Sequence, residues 1–244
     1  MTRAHARALF IVVATGAVAA ALAAAALSFR GPTPLPARPA NTRPTLLLLT
    51  SLPLVFGEDF SIYGNGSPAL SALQSRYRVV PISVADPAEL GKGRLLLMAH
   101  PLAQPAEDLV ALDRWVRGGG RLLLLADPML EWPSKRPLGD LLRPAPMFMD
   151  TGLLAHWGLR LNGPGERGRK VEKLGGFDVL TDSPGQLFGR CSISADRLVA
   201  DCRIGKGRAT VVADADLLDT QQLGDGAKHN LDGLLRELAD LESP

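Results

Sequence analysis

"LLLMAHPLAQPAEDLVALDRWVRGGGRLLLLADPML", residues 95–130, holds two apolar runs with a helix-forming block between them. Neither run alternates with polar residues, which fits strands covered on both faces. Each stops at a polar residue followed by proline, His100-Pro101 and Asp127-Pro128. The intervening "EDLVALDRWV" sets Leu109, Leu112 and Val116 on one helical face, and Gly118–Gly120 ends the helix and turns the chain. Strand, helix, strand in that order is the repeating unit of a parallel sheet, because parallel neighbours need a crossover.

The same alternation extends outward. "TLLLLTS" (45–51) predicts a buried strand, and Ser67 is placed to cap a helix running to about Arg76. "YRVVPIS" predicts a second strand and "ATVVADAD" a last one. The final helix carries Leu231, Leu234, Leu235, Leu238 and Leu241 at helical spacing. The expected fold over residues 45–244 is α/β: a three-layer, doubly wound, mostly parallel sheet of flavodoxin-like type. From about 131 to 207 the alternation breaks. A helix candidate, "DTGLLAHWG", and glycine-rich short strands there predict a small β-meander inserted beside the main sheet.

The N-terminus has a different character. Residues 8–29 carry no charge between Arg7 and Arg30, long enough to cross a bilayer as a helix. Residues 1–30 are therefore expected to be a signal anchor, a single transmembrane helix. Small-residue triplets around Ala24–Ala26 leave signal-peptidase cleavage open. The following "GPTPLPARPANTRP" (31–44) has five prolines and predicts a stiff, extended, solvated spacer. Together these place the main domain outside the cytoplasm, on the periplasmic side of an inner membrane.

The 244 residues carry a formal charge of +2 with no basic stripe, and only 5% are aromatic, which argues against nucleic-acid binding. In an open parallel sheet, ligands bind beyond the carboxyl ends of the strands. The residues expected on that rim are Thr50, Ser51, His100, Asp127, Asp214 and Asp216, with Glu58 from the first loop. A histidine among carboxylates has the makings of a metal site or an acid/base pair. The competing reading, and the favoured one, is that His100 and Asp127 cap turns where strands end. No catalytic residue, metal ligand or cofactor is assigned.

Several weaker signals have plain readings. "GNGSP" (64–68) lacks the lysine and spacing of a phosphate loop, "GKGR" (205–208) reads as a hairpin turn, and His229 and Asn230 are placed to cap the last helix. Cys191 and Cys202 flank "SISADRLVAD". If Asp196-Arg197 forms a two-residue turn, facing residues have numbers summing to 393, so the two cysteines oppose each other within disulfide reach. An oxidising compartment would close that bridge.

The order of "LLLLTSLPLVFGE", the 95–130 block, "LLAHWGLRL" and "GKGRATVVADADLL" resembles the GldG-like extracytoplasmic auxiliary subunits of gliding-motility-type ABC transporters. Leu112, Asp113, Trp115, Gly118–Gly120, Asp127 and Pro128 fit that family's central block, and the resemblance spans about residues 45–240. It implies a fold like that of class I glutamine amidotransferases, a membrane anchor and partnership with an ABC-type permease. An amidotransferase-like enzyme would need a cysteine at a strand-to-helix elbow. Here the turn after residues 95–99 offers His100-Pro101-Leu102, and no G-x-C-x-G or G-x-S-x-G occurs. The expectation is a non-catalytic, membrane-anchored periplasmic binding or assembly domain. The alternative is a hydrolase or metal-dependent enzyme using His100, Asp127, Asp214 and Asp216.

Overall fold

Leucine-rich strands bury their backbones only by lying side by side, and the chain does this with a mixed α/β architecture. The computed structural model describes residues 31–56 and 66–243. The expected transmembrane helix (1–30) and Glu58 lie outside them. Residues 34–244 form one contact unit, distinct from 1–33.

The strands are β1 (Thr45–Thr50), β2 (Arg78–Pro81), β3 (Leu95–Ala99), β4 (Arg121–Leu125), β5 (Leu159–Asn162), β6 (Arg169–Leu174), β7 (Phe177–Asp182), β8 (Gln186–Gly189), β9 (Ser192–Ile193), β10 (Val199–Ile204) and β11 (Gly207–Val212). The helices are α1 (Pro68–Arg76), α2 (Pro87–Leu90), α3 (Ala106–Arg117), α4 (Leu153–His156), α5 (Thr220–Leu223) and α6 (Asn230–Glu242). Seven strands make the main sheet in the order β2-β1-β3-β4-β11-β10-β9. The first five are mutually parallel, and β10 and β9 extend the sheet antiparallel. The central sheet is thus mostly parallel.

Side chains alternate between two apolar layers. Leu46, Leu48, Leu97 and Leu123 pack with Leu73 of α1 and with Leu234 and Leu238 of α6. Leu47, Leu96, Leu122 and Leu124 pack with Leu90 of α2 and with Leu112 and Val116 of α3. All of these are at most 1% exposed, and each such leucine contributes about 1.5–3 kcal/mol on leaving water. Ser67 caps α1 as expected, its hydroxyl accepting from the Leu70 amide. At the end of α3, a Cβ on Gly207 would lie 2.0 Å from the Val116 carbonyl oxygen, so only glycine lets β11 start that close to the helix.

The inserted region differs from a single meander. Residues 131–152 form no helix or strand, β5 pairs with β8, and β6 pairs with β7 as a second separate ladder. β9 and β10, also within 131–207, belong to the main sheet instead. Val199, Ala200, Cys202 and Ile204 of β10 are buried and hold it against β11.

The proline-rich segment expected to stand clear as a spacer is docked from Pro36 onward. The Arg38 amide donates to the Ser75 carbonyl at 2.9 Å, Arg78 donates to Pro44 at 2.8 Å, and Arg76 reaches the Pro36 carbonyl. Arg38 pairs with Glu242 at 3.0 Å and lies over the Tyr77 ring, while the Tyr77 hydroxyl donates to the same carboxylate. Extended proline-rich backbone leaves its carbonyls free, and here arginines take them.

Cys191 and Cys202 are joined by a disulfide, with their Cα atoms 4.9 Å apart. The register Ile193↔Ala200 and Ser192↔Asp201 keeps the sum of 393. The turn is longer than the two residues expected: Ser194 donates to Val199, and Ala195–Leu198 form the bend. It lengthens equally on both sides, so the register survives. Peptide mapping without reduction should give one cross-linked 191–202 species. A Cys191→Ser/Cys202→Ser chain should lose about 2–3 kcal/mol in urea unfolding, because so short a loop loses little more entropy when closed.

Candidate functional site

The carboxyl ends of the parallel strands carry the rim residues, but they form two separate groups. The ladder explains why. Ala99 pairs with Leu125, and Leu125 with Val212. Asp127 and Asp214 each stand two residues past those partners, so parallel register sets them side by side. His100 stands one residue past Ala99 and is out of step with both.

Asp127, Asp214 and Asp216 converge, with one carboxylate oxygen of each within 4.8 Å of the others. They are at most 3% exposed. Each is tied to loop backbone. Asp127 accepts from the Met129 and Ala215 amides, both at 2.8 Å. Asp214 accepts from Leu217 at 2.7 Å and Asp182 at 3.2 Å, and Asp216 accepts from Glu131 at 2.8 Å. Burial raises all three above the usual carboxylate range, and the neighbouring acids push the same way. Asp127 is raised to about 6 and Asp216 to about 8, with Asp214 also well raised. Glu131 and Asp182 add charge beside Asp216. Three converging carboxylates are a donor set that oxygen-preferring divalent cations accept, although the oxygens are already engaged with backbone donors.

His100 is fully buried with φ at +46°, a conformation few non-glycine residues adopt. Its Nε2 lies 2.8 Å from the Ala145 carbonyl, which fixes Nε2 as the protonated nitrogen. Nδ1 is buried without a hydrogen-bond partner. Burial lowers the imidazole below its ordinary pKa and keeps it neutral. Among the described residues His100 does not join the group formed by the three carboxylates.

Ser51 donates to the His100 carbonyl, and Thr50 donates to Ala99 at 2.8 Å. Both line a cleft of about 280 Å³ whose walls include Ile82, Phe56, Arg136 and Leu142. The last two come from the irregular segment 128–150, which crosses the strand ends. That segment is held by Leu130 to Pro146, by Phe148 to Asp127 and by Ala145 to His100. Nothing in its sequence marked it as the cover of the rim, because its partners are far away in the chain. Asn230 also departs from expectation. It does not cap α6 but is fully buried, accepting from Leu180 and donating to the Leu180 and Leu217 carbonyls. His229, at the cap position, makes no side-chain cap bond and instead approaches Asp232 at 3.2 Å.

No family model matches the chain, and no curated protein sequence matches it. Solved structures do. The exo-β-1,4-mannosidase Op5Man5 from Opitutaceae bacterium strain TAV5 aligns with a TM-score of 0.50 at 14% identity, covering 80% of this chain but only 36% of the mannosidase. The cytoplasmic protein STM3548 from Salmonella typhimurium gives 0.49 at 12% identity over 81% of this chain and 98% of its own. A ThuA-like protein from Parabacteroides merdae gives 0.39 at 12% identity, over 83% and 91%. At such identities the likeness bears on fold alone.

The raised carboxyl groups predict a pH dependence with a definite sign. The folded chain keeps protons that the unfolded chain releases, so their contribution is complete below about pH 4. It is lost as pH rises through about 6 for Asp127 and about 8 for Asp216. Urea midpoints should fall between pH 5 and pH 9. Asp216→Asn, which keeps an acceptor for the Glu131 amide, should flatten the upper half and be more stable than the parent at pH 9 by about 2 kcal/mol or more. An unchanged slope would count against buried, protonated carboxyls.

Proposed function

We propose that the domain from Thr45 onward is a non-catalytic binding or assembly module, exported and tethered to the inner membrane, that works beside an ABC-type permease. Its sheet is assigned to the doubly wound, flavodoxin-like kind, with the class I glutamine amidotransferase type as its nearest form. One observation carries the non-catalytic part. The elbow after β3, where an amidotransferase-like enzyme needs its nucleophile, has the left-handed backbone of such a turn but holds a sealed histidine bonded to Ala145. Neither cysteine is free to substitute for it, since both are in the disulfide. The tether rests on the uncharged run at 8–29 and the permease on the resemblance of residues 45–240 to GldG-like subunits.

The second reading, a metal-dependent hydrolase, draws on the convergence of Asp127, Asp214 and Asp216. It loses His100, and its three acids lie under the surface with backbone amides as partners. A binding role at the strand-end cleft needs neither.

Affinity purification of the full chain from solubilised membranes is the test. ABC permease or ATPase subunits should co-purify; their absence across several mild detergents would reject the partnership. A reporter joined after Pro44 should be active only outside the cytoplasm. A mature N-terminus between Ala23 and Arg30 would turn the tether into a cleaved signal.

A further inference from the structure

We propose that the outer face of the β5–β8 ladder binds an acidic polysaccharide, a soluble chain of sugars carrying carboxylate or sulfate groups. This goes beyond the tether and the permease and depends on neither. The antiparallel register sets Arg160 opposite Phe188 and Asn162 opposite Gln186. Leu159 and Leu187, one residue out of phase, are buried in the core beneath, so the period of two turns the first four side chains outward.

Arg160 places its guanidinium carbon 5.3 Å from the centre of the Phe188 ring, and Arg197 places its own at 4.3 Å. Arg197 reaches the ring because the β9–β10 turn is tied to β8, its carbonyl accepting from the Leu187 amide at 2.9 Å. Arg190 follows directly after β8 and lies over Gly158. All three arginines are exposed. Among the described residues none of them pairs with a carboxylate, whereas Arg38, Arg117 and Arg208 each do.

Two like charges on one phenyl ring repel each other, and the ring offsets this only in part through its negative faces. An anion arriving between them would remove the repulsion. A guanidinium laid against a ring keeps its N–H edge available for two-point contact with a carboxylate or sulfate. The next row along the strands, about 6.6–6.8 Å on, offers the Asn162 and Gln186 amides, which both donate to and accept from sugar hydroxyls. A bilayer fits this face poorly: no large apolar side chain of β5, β8 or the β9–β10 turn is among the exposed ones, and among the described residues only Met147, beside Arg160, offers an exposed apolar group next to the ladder.

The full chain, held in a zwitterionic detergent, should be titrated against polygalacturonate and dextran sulfate, with neutral dextran as control. Saturable binding to a charged polymer, weakened by salt and absent for dextran, is expected. Arg160→Ala/Arg197→Ala should weaken it about tenfold or more. Lys173→Ala, which removes an exposed lysine paired with Asp178 at 2.6 Å, should leave it unchanged. Both arginines are exposed, so the double variant should fold, and an intact disulfide with a parental circular dichroism spectrum checks this. Any of three results would overturn the proposal: no binding to either charged polymer, equal affinity in the double variant, or preferential binding to phosphatidylglycerol vesicles.

Discussion

Four adjacent strands with no solvent-facing side impose the constraint from which the rest follows. β1, β3, β4 and β11 are buried along nearly their whole length on both faces, so helices must cover each face and every connection must cross from one end of the sheet to the other. Loops that leave the strands therefore gather at the carboxyl edge. Polar groups at that edge are buried too and must find partners inside the protein.

The aspartates answer that need. Asp127, Asp214 and Asp216 give acceptors to amides of the loop after β4, of the last residue of β7 and of the loop after β11, tying three segments far apart in sequence to one point. Such a knot is costly in charge, since five acids crowd one region, and that cost is met by retaining protons. Chemistry of this sort looks catalytic when only residue types are considered. In space these oxygens accept from backbone amides of the turns around them, and a separate cleft opens beside Ser51.

Much of the fold was legible because its signals are local. Unbroken leucine runs, Ser67 as a cap, Gly118–Gly120 as a stop and the leucine spacing of α6 each depend on neighbours within a few residues. The cysteine register was legible for the same reason, being the arithmetic of one hairpin. The cover over the rim and the role of Asn230 were not legible, since each depends on contacts 45 or more residues apart, as between Ala145 and His100 or Asn230 and Leu180. The two small ladders were not, because β5 and β8 pair across the intervening β6–β7 hairpin. The convergence of the aspartates falls between these cases. "ADP" and "ADAD" both place an acid two residues after a strand, but only the pairing of β4 with β11 brings them together.

The docked segment from Pro36 to Pro44 has a mechanical consequence. It runs along the end of the sheet opposite the cleft and is clasped to Glu242, the last residue of α6. The two ends of the domain are therefore fastened to each other. Tension entering through the chain before Pro36 would load the Arg38–Glu242 and Arg76–Pro36 contacts before reaching β1, and part of it would pass into α6. The strands at the cleft end would carry little of that force, so a pull on the leading chain could be borne without distorting the surface where a ligand would sit.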